Sequence, residues 1–377
     1  MLTKVTKNFE SARSVCFFAS PLACWCQLKH MKQGIFLINL GSPDSPTKED
    51  VRTYLDEFLM DPRVVDLPKV FRTLLVRGII LNTRPKKSAE AYAEIWTDEG
   101  SPLIVYSEQV RDLLQARVEI PVVLGMRYGS MSIEKGLAQL KEHGVEHALV
   151  VPLYPQFAMS TTETVVEKVK EVVHASHPGM KTEFLPPFYG TDEYIHALAE
   201  SAKLAANHED YDRILFSYHG VPERHIRKSD LTGKHCKIDG SCCNTPSPAH
   251  AECYRHQCFE TTKNLAKALN LPEEKCFSAF QSRLGLDPWL KPYTADTLKK
   301  MPDQGIKKLA VLTPSFVSDC LETLEEMDME NREIFEEAGG ETYDFIPCLN
   351  TSEAWIQALE TWSNAWQRGD LTTTPLT

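Results

Sequence analysis

The sequence predicts an α/β protein built as two similar domains, each a four-stranded parallel sheet flanked by helices, with a functional cleft between them. Three observations carry this reading: short apolar runs alternate with amphipathic stretches, the second half repeats the first, and unusual residues gather just after the runs. The runs are rich in β-branched residues and continuous rather than alternating, as strands covered on both faces are. In chain order they are Ile35 to Ile38, Pro121 to Leu124, Leu149 to Val151, Phe184-Leu185, Ile214 to Phe216, Phe277 to Phe280, Leu309 to Leu312 and Phe345-Ile346. Segments of helical period lie between them, among them Ile133 to His143, Thr162 to Val173 and Cys258 to Leu269. Such alternation specifies parallel sheets joined by helices.

The repeat has a constant shift of 161 positions: Gly144-Val145 falls on Gly305-Ile306, Val150 on Val311, Thr162 on Thr323, Phe184 on Phe345 and Ile195 on Ile356. A shift held over so many positions marks two copies of one unit. We therefore expect domains over 31–190 and 191–350, then a C-terminal helix and tail over 351–377. In residues 1–30 an apolar patch from Val15 to Trp25 is interrupted by Ser20 and Pro21, which argues against a secretion signal. That stretch reads as a disordered leader, or as a start placed upstream of the true one at Met31.

With 377 residues, 42% of them hydrophobic, the chain can build two cores. Its net charge of -11 offers no general attraction for nucleic acid or anionic lipid. No run approaches the roughly 20 apolar residues of a membrane-spanning helix. Peripheral membrane contact and oligomeric state stay open.

Ligands of parallel sheets bind at the carboxyl ends of the strands, so function is sought there. His219 follows the strand Arg213 to Phe216 and precedes Gly220-Val221-Pro222, a tight exit that would fix its ring at a strand end. Imidazole titrates near neutrality and binds borderline divalent metals, which suits proton abstraction or metal transfer. After the strand Leu309 to Leu312, a helix starting near Asp319 would place Asp319, Glu322 and Glu326 on one face. Such a stripe could carry a hard cation or accept protons, although Asp319 with Glu322 is also a variant of the capping box. The repeat separates these readings, because Thr161 occupies the position matching Glu322, so shared architecture does not demand the acid. Trp289 sits between Pro288 and Pro292 on a stiff loop and is a candidate stacking platform, with core packing as the alternative.

Cys236, Cys242, Cys243 and Cys253 lie among Gly, Pro, Asn and Ser in a loop-like stretch over about 230–256. A local cluster in a long chain points to a metal site rather than to a disulfide scaffold, and so to a reducing, cytoplasmic setting. Four thiolates from a loop suit a [2Fe-2S] cluster or a structural zinc. Cys258 is the substitute ligand if one of the four does not serve.

Over residues 32 to about 365 the chain resembles the ferrochelatases. The resembling segments are Leu40-Gly41-Ser42-Pro43, Ile95-Trp96-Thr97, Met126-Arg127-Tyr128-Gly129, Tyr154-Pro155-Gln156, Ser217-Tyr218-His219-Gly220-Val221-Pro222, Gln281-Ser282-Arg283-Leu284-Gly285, Pro288-Trp289-Leu290 and Ser318-Asp319-Cys320-Leu321-Glu322-Thr323-Leu324. The resemblance implies two Rossmann-like domains of chelatase type and insertion of Fe²⁺ into protoporphyrin IX, the last step of haem synthesis, with coproporphyrin as the alternative substrate. It further implies that His219 and Glu322 are the catalytic pair, that these two with Asp319 and Glu326 handle the substrate iron, and that Leu40, Arg127, Tyr128, Trp289 and Phe316 line the porphyrin cleft. The cysteine insertion is similar to that of a subclass holding a [2Fe-2S] cluster. A non-catalytic tetrapyrrole or iron-sulfur sensor on the same fold is the competing class.

Overall fold

The computed structural model describes residues 31–203, 207–283, 285 and 287–376. The expected leader over 1–30 lies outside them. Eight parallel strands form where the apolar runs stand: β1 (Gln33–Asn39), β2 (Val122–Met126), β3 (His147–Pro152) and β4 (Lys181–Phe184) in one sheet, and β5 (Arg213–His219), β6 (Cys276–Gln281), β7 (Lys308–Leu312) and β8 (Thr342–Phe345) in the other. The sheet orders are β2-β1-β3-β4 and β6-β5-β7-β8, the same arrangement twice. The repeat is thus a repeat of topology: β7 begins at Lys308, 161 positions after His147 at the start of β3, and β8 begins at Thr342, 161 after Lys181.

The first sheet is larger than expected. A short strand β9 (Thr374–Pro375) returns from the C-terminus and pairs antiparallel with β4, Glu183 opposite Pro375. The C-terminal helix Glu353–Arg368 packs on Asp192–Ser201, burying Trp355, Trp362 and Trp366. The tail therefore ties the end of the chain to its first half.

The two sheets share one core. Leu37, Leu124 and Leu149 of the first unit belong to the same buried cluster as Phe216, Tyr218 and Leu312 of the second. Loops at the carboxyl ends also meet. The Gln156 side-chain amide, after β3, donates to the Pro314 carbonyl, after β7, at 3.1 Å, and Tyr194 donates to that carbonyl at 2.7 Å. A second clamp joins Asp66 to Lys228 at 2.5 Å and to Arg224, the latter two lying on the helix Glu223–Lys228 that follows the His219 loop.

Candidate active site

His219 is the last residue of β5, directly opposite Gln281 of β6. Its backbone is pinned from two sides: its N–H donates to Ser315 Oγ at 3.2 Å, and its carbonyl accepts from the Tyr254 hydroxyl at 2.8 Å. The ring Nδ1 lies 2.6 Å from the Gly220 carbonyl oxygen. A carbonyl can only accept, so Nδ1 carries the proton and the neutral ring presents a lone pair at Nε2. Gly220 is required here because a Cβ would stand 2.7 Å from the Gln281 carbonyl and 3.2 Å from the Trp289 ring.

Gln281 connects the two halves of the expected catalytic pair. Its Nε2 donates to the Glu322 carbonyl at 2.8 Å, its Oε1 accepts from Ser217 at 2.7 Å, and its own carbonyl accepts from Gly220 N–H at 2.8 Å. One side chain thus sets the spacing between the His219 strand end and the Glu322 helix. The rings of Trp289 and Phe316 each have their centroid 6.4 Å from that of His219. Trp289 is held by backbone pairing of the 288–290 stretch with the 221–223 stretch, and its Nε1 is buried without a partner.

The acidic stripe differs from expectation. The helix Glu322–Glu330 is wound as a π-helix, whose i→i+5 hydrogen bonding brings residues four and five apart onto one face. Glu322, Glu326 and Glu330 fall in line, and Asp319 lies before the helix. Asp319 is buried, and its carboxylate accepts from Asn350 Nδ2 at 2.6 Å, Thr323 Oγ1 at 2.9 Å and Cys348 N–H at 3.3 Å. Its acceptors are thus occupied by the Asn350 and Thr323 side chains and the Cys348 N–H, which ties it to the start of the helix through Thr323, while it caps no helix N–H: the N-cap is Leu321, without a side-chain bond. A spacing of four, carried on to Glu330, was the signal that a period of 3.6 obscures.

Glu322 points back to the first unit. Burial drives the Tyr92 hydroxyl well above its ordinary range, and the nearby Glu322 carboxylate raises it further. Leu321 and Leu324, flanking Glu322, pack with Val51, Ala89 and Tyr92 of that unit. Glu326 is braced by Ser282, whose N–H donates to it at 2.8 Å and whose hydroxyl donates as well. Ser282 adopts φ +66°, a left-handed conformation that strains a residue with a side chain. Burial pushes Glu326 up to about 7, against the Ser282 bonds, and the charges of Glu322 and Glu330 push the same way.

A testable consequence concerns pH. Glu326 in the folded protein keeps its proton up to about 7 and in the unfolded chain loses it near 4.5. Stability then falls as pH rises through that window, because the native state binds more protons. Glu326→Gln is expected to flatten the fall, read as the change in thermal midpoint between about pH 5 and about pH 8.

The remaining expected cleft residues are placed on the first unit. Leu40 follows β1 half-buried, its carbonyl accepting from Tyr128 N–H at 2.9 Å. Gly41, at φ +106°, allows this approach, since a Cβ would overlap the Tyr128 carbonyl. Arg127 and Tyr128 turn inward to Asp61, a residue the sequence did not single out. The Asp61 carboxylate accepts from Arg127 at 2.5 Å, Thr164 at 2.5 Å and Tyr128 at 3.0 Å. Tyr128 is only 1% exposed, so it supports the cleft wall from behind. A partly open pocket of about 210 Å³ lies at these strand ends and is lined by Ser42, Trp96, Ile104 and Tyr128.

The cysteine segment abuts the His219 loop. Cys253 immediately precedes the helix Tyr254–Ala268, whose first residue is the Tyr254 that holds the His219 carbonyl. Cys242, Cys243 and Cys253 are buried and Cys236 is partly so, all as free thiols. Burial pushes Cys236 and Cys243 up to about 11, and Cys242 and Cys253 lie near enough to raise both further. Lys237 N–H donates to Cys242 Sγ at 3.1 Å. Among the described residues no three His, Cys, Asp or Glu side chains converge into a ready-made metal site, at the cysteines or along the acidic line.

The comparisons agree with this architecture. A family model described as ferrochelatase matches residues 32–365. Ferrochelatases of Azotobacter vinelandii and Pseudomonas fluorescens are each 48% identical to this chain, over 86% and 87% of it respectively and 96% of each relative. Among solved structures, SirB from Bacillus subtilis with Fe³⁺ has a TM-score of 0.51 at 14% identity, covering 90% of this chain and 99% of that one, a likeness of fold alone.

Proposed function

The chain belongs to the ferrochelatase family, and from that premise we propose that it inserts Fe²⁺ into protoporphyrin IX, releasing two protons, with His219 and Glu322 acting at the reacting centre. The observation that carries the assignment of residues is the Nδ1–H of His219 held by the Gly220 carbonyl, which leaves Nε2 free to take a pyrrole proton or to hold the entering metal. A planar macrocycle hides its nitrogen lone pairs from a metal, so the protein must bend it. Trp289, on a loop paired through its backbone to Pro222, and Phe316, in a turn closed on Thr313, stand beside His219 and supply walls for that distortion. Glu322, Glu326 and Glu330 form the line along which protons leave or iron arrives. Glu326, poised near 7, can exchange a proton in either direction at neutral pH. Asp319 serves this line by holding the helix entry, and Arg127 and Tyr128 by bracing the wall.

The cysteine segment suits a [2Fe-2S] cluster held by Cys236, Cys242, Cys243 and Cys253. What supports the reading is that these thiols share one segment within mutual electrostatic reach, with a backbone N–H directed at one sulfur; they do not converge in this structure, so binding would have to draw them together. Such a group would supply structure and redox sensitivity, since metal insertion transfers no electrons. Zinc is the alternative occupant.

We place the protein in the cytoplasm, where eight free cysteines among the described residues would persist as thiols. No helix of the described residues is long and apolar enough to cross a membrane. Peripheral contact would use Val70, Phe71, Leu74 and Ile79, which stand exposed on one helical stretch.

The test is anaerobic turnover of protoporphyrin IX with Fe²⁺ by the purified protein, followed by the porphyrin absorption bands, with coproporphyrin III in parallel. Faster metallation of protoporphyrin supports the assignment, and faster metallation of coproporphyrin replaces the substrate. No metallation of either would leave the sensor reading.

A further inference from the structure

Cys320 immediately precedes Leu321, the N-cap of the helix Glu322–Glu330, and its side chain is buried. Its Sγ lies 3.2 Å from Glu322 Oε2. Within a regular helix, residues two apart do not face each other. This pair can meet because Cys320 stands outside the helix that Glu322 opens. The backbone carrying the thiol is held on both sides: Cys320 N–H donates to Thr323 Oγ1 at 2.9 Å, and its carbonyl accepts from Leu324 N–H at 3.0 Å. A carboxylate can only accept, and a second anion at this distance in a buried place is disfavoured, so the sulfur keeps its hydrogen and donates. The thiol is a weak donor, and the charge of its acceptor strengthens the bond.

The fold does not demand this pair. Both halves wind a π-helix after their third strand, Met159–Glu163 after β3 and Glu322–Glu330 after β7. At the shift of 161 positions Met159 stands for Cys320 and Thr161 for Glu322. The first half thus has the winding with neither the thiol nor the acid.

We propose that Cys320 is a positioning residue for the Glu322 carboxylate: its S–H ties Oε2 and leaves Oε1 as the oxygen that takes a pyrrole proton or meets the metal. The proposal rests on the role assigned to Glu322 above. A carboxylate on an unrestrained side chain samples several rotamers and offers either oxygen, whereas one hydrogen bond selects a single arrangement before the substrate arrives. Cys320 touches neither porphyrin nor iron in this role, so its loss slows the reaction without weakening binding.

The test has a spectroscopic and a kinetic arm, both on the full chain. The S–H stretching band of Cys320 is identified in the infrared spectrum by its loss in Cys320→Ala. It should lie at lower frequency in wild type than in Glu322→Ala, as that of a donating thiol does, and equal frequencies overturn the hydrogen bond. Anaerobic metallation of protoporphyrin IX by Fe²⁺ is then compared in wild type, Cys320→Ala, Cys320→Ser, Glu322→Ala and the double variant Cys320→Ala/Glu322→Ala. Cys320→Ala is expected to lower kcat about tenfold, near the lower end for a hydrogen bond to a charged group, with KM for porphyrin within about twofold of wild type. Cys320→Ser keeps a donor and should stay within about threefold of wild type. A serine variant as slow as the alanine variant, or an alanine variant as fast as wild type, overturns the proposal. On Glu322→Ala the second change should cost nothing further, and a loss of the same size there makes the thiol a packing residue and overturns the proposal as well. Glu322→Ala as active as wild type overturns instead the role of Glu322 on which the proposal rests. If Cys320→Ala does not accumulate, Cys320→Ser assigns the infrared band, and the comparison of wild type with Glu322→Ala decides.

Discussion

His219→Ala is expected to lower kcat by about 10²- to 10⁴-fold, the range for loss of a positioned acid-base group, while porphyrin binding is largely kept. The substitution isolates the ring because the strand end is held through the backbone of this residue. Ser315 accepts from the His219 N–H and Tyr254 donates to its carbonyl, and neither bond needs the imidazole. The walls at Trp289 and Phe316 are likewise anchored elsewhere. Anaerobic stopped-flow absorption would give the metallation rate, and quenching of porphyrin fluorescence without metal would give the affinity. Partial rescue by added imidazole would follow from a role for Nε2. A rate equal to wild type would remove His219 from the mechanism, and loss of porphyrin affinity with an unchanged rate at saturation would make it a binding residue.

Glu322→Gln is the second large effect, a loss in kcat of about 10²-fold at neutral pH, the lower end of the same range. The variant preserves shape, since Gln281 holds the backbone carbonyl of Glu322 rather than its side chain, at 2.8 Å. It also carries a second readout that a fold defect would not produce. The Glu322 charge is among the causes that raise Glu326 to about 7, so neutralising it should move that ionisation to lower pH. The acid limb of the kcat/KM profile would move with it. Combination with His219→Ala should cost less than the product of the single losses, because both act on one reacting centre. Full multiplicativity would show that the two residues serve separate steps.

Strand positions, the order of elements and the doubled architecture were legible in the chain because they rest on local composition and on a repeat that needs no knowledge of contacts. His219 and Glu322 could be singled out for the same reason: each follows a strand, and Thr161 matching Glu322 shows the acid is not demanded by the fold. Three features belonged to the tertiary structure. The π-winding of Glu322–Glu330 exchanges Asp319 for Glu330 in the acidic line, and packing against Tyr92 and Val51 of the other unit, far away in sequence, accompanies it. Asp61 meets Arg127 and Tyr128 across separations of 66 and 67 residues and turns expected cleft residues into supports. Gln281 bridges the His219 strand end and the Glu322 helix through side-chain geometry that spacing cannot encode. The physical reason is common to all three. Hydrophobic period reports which face of an element is buried, whereas the partner of a buried polar group is chosen by whatever the fold brings within hydrogen-bonding distance.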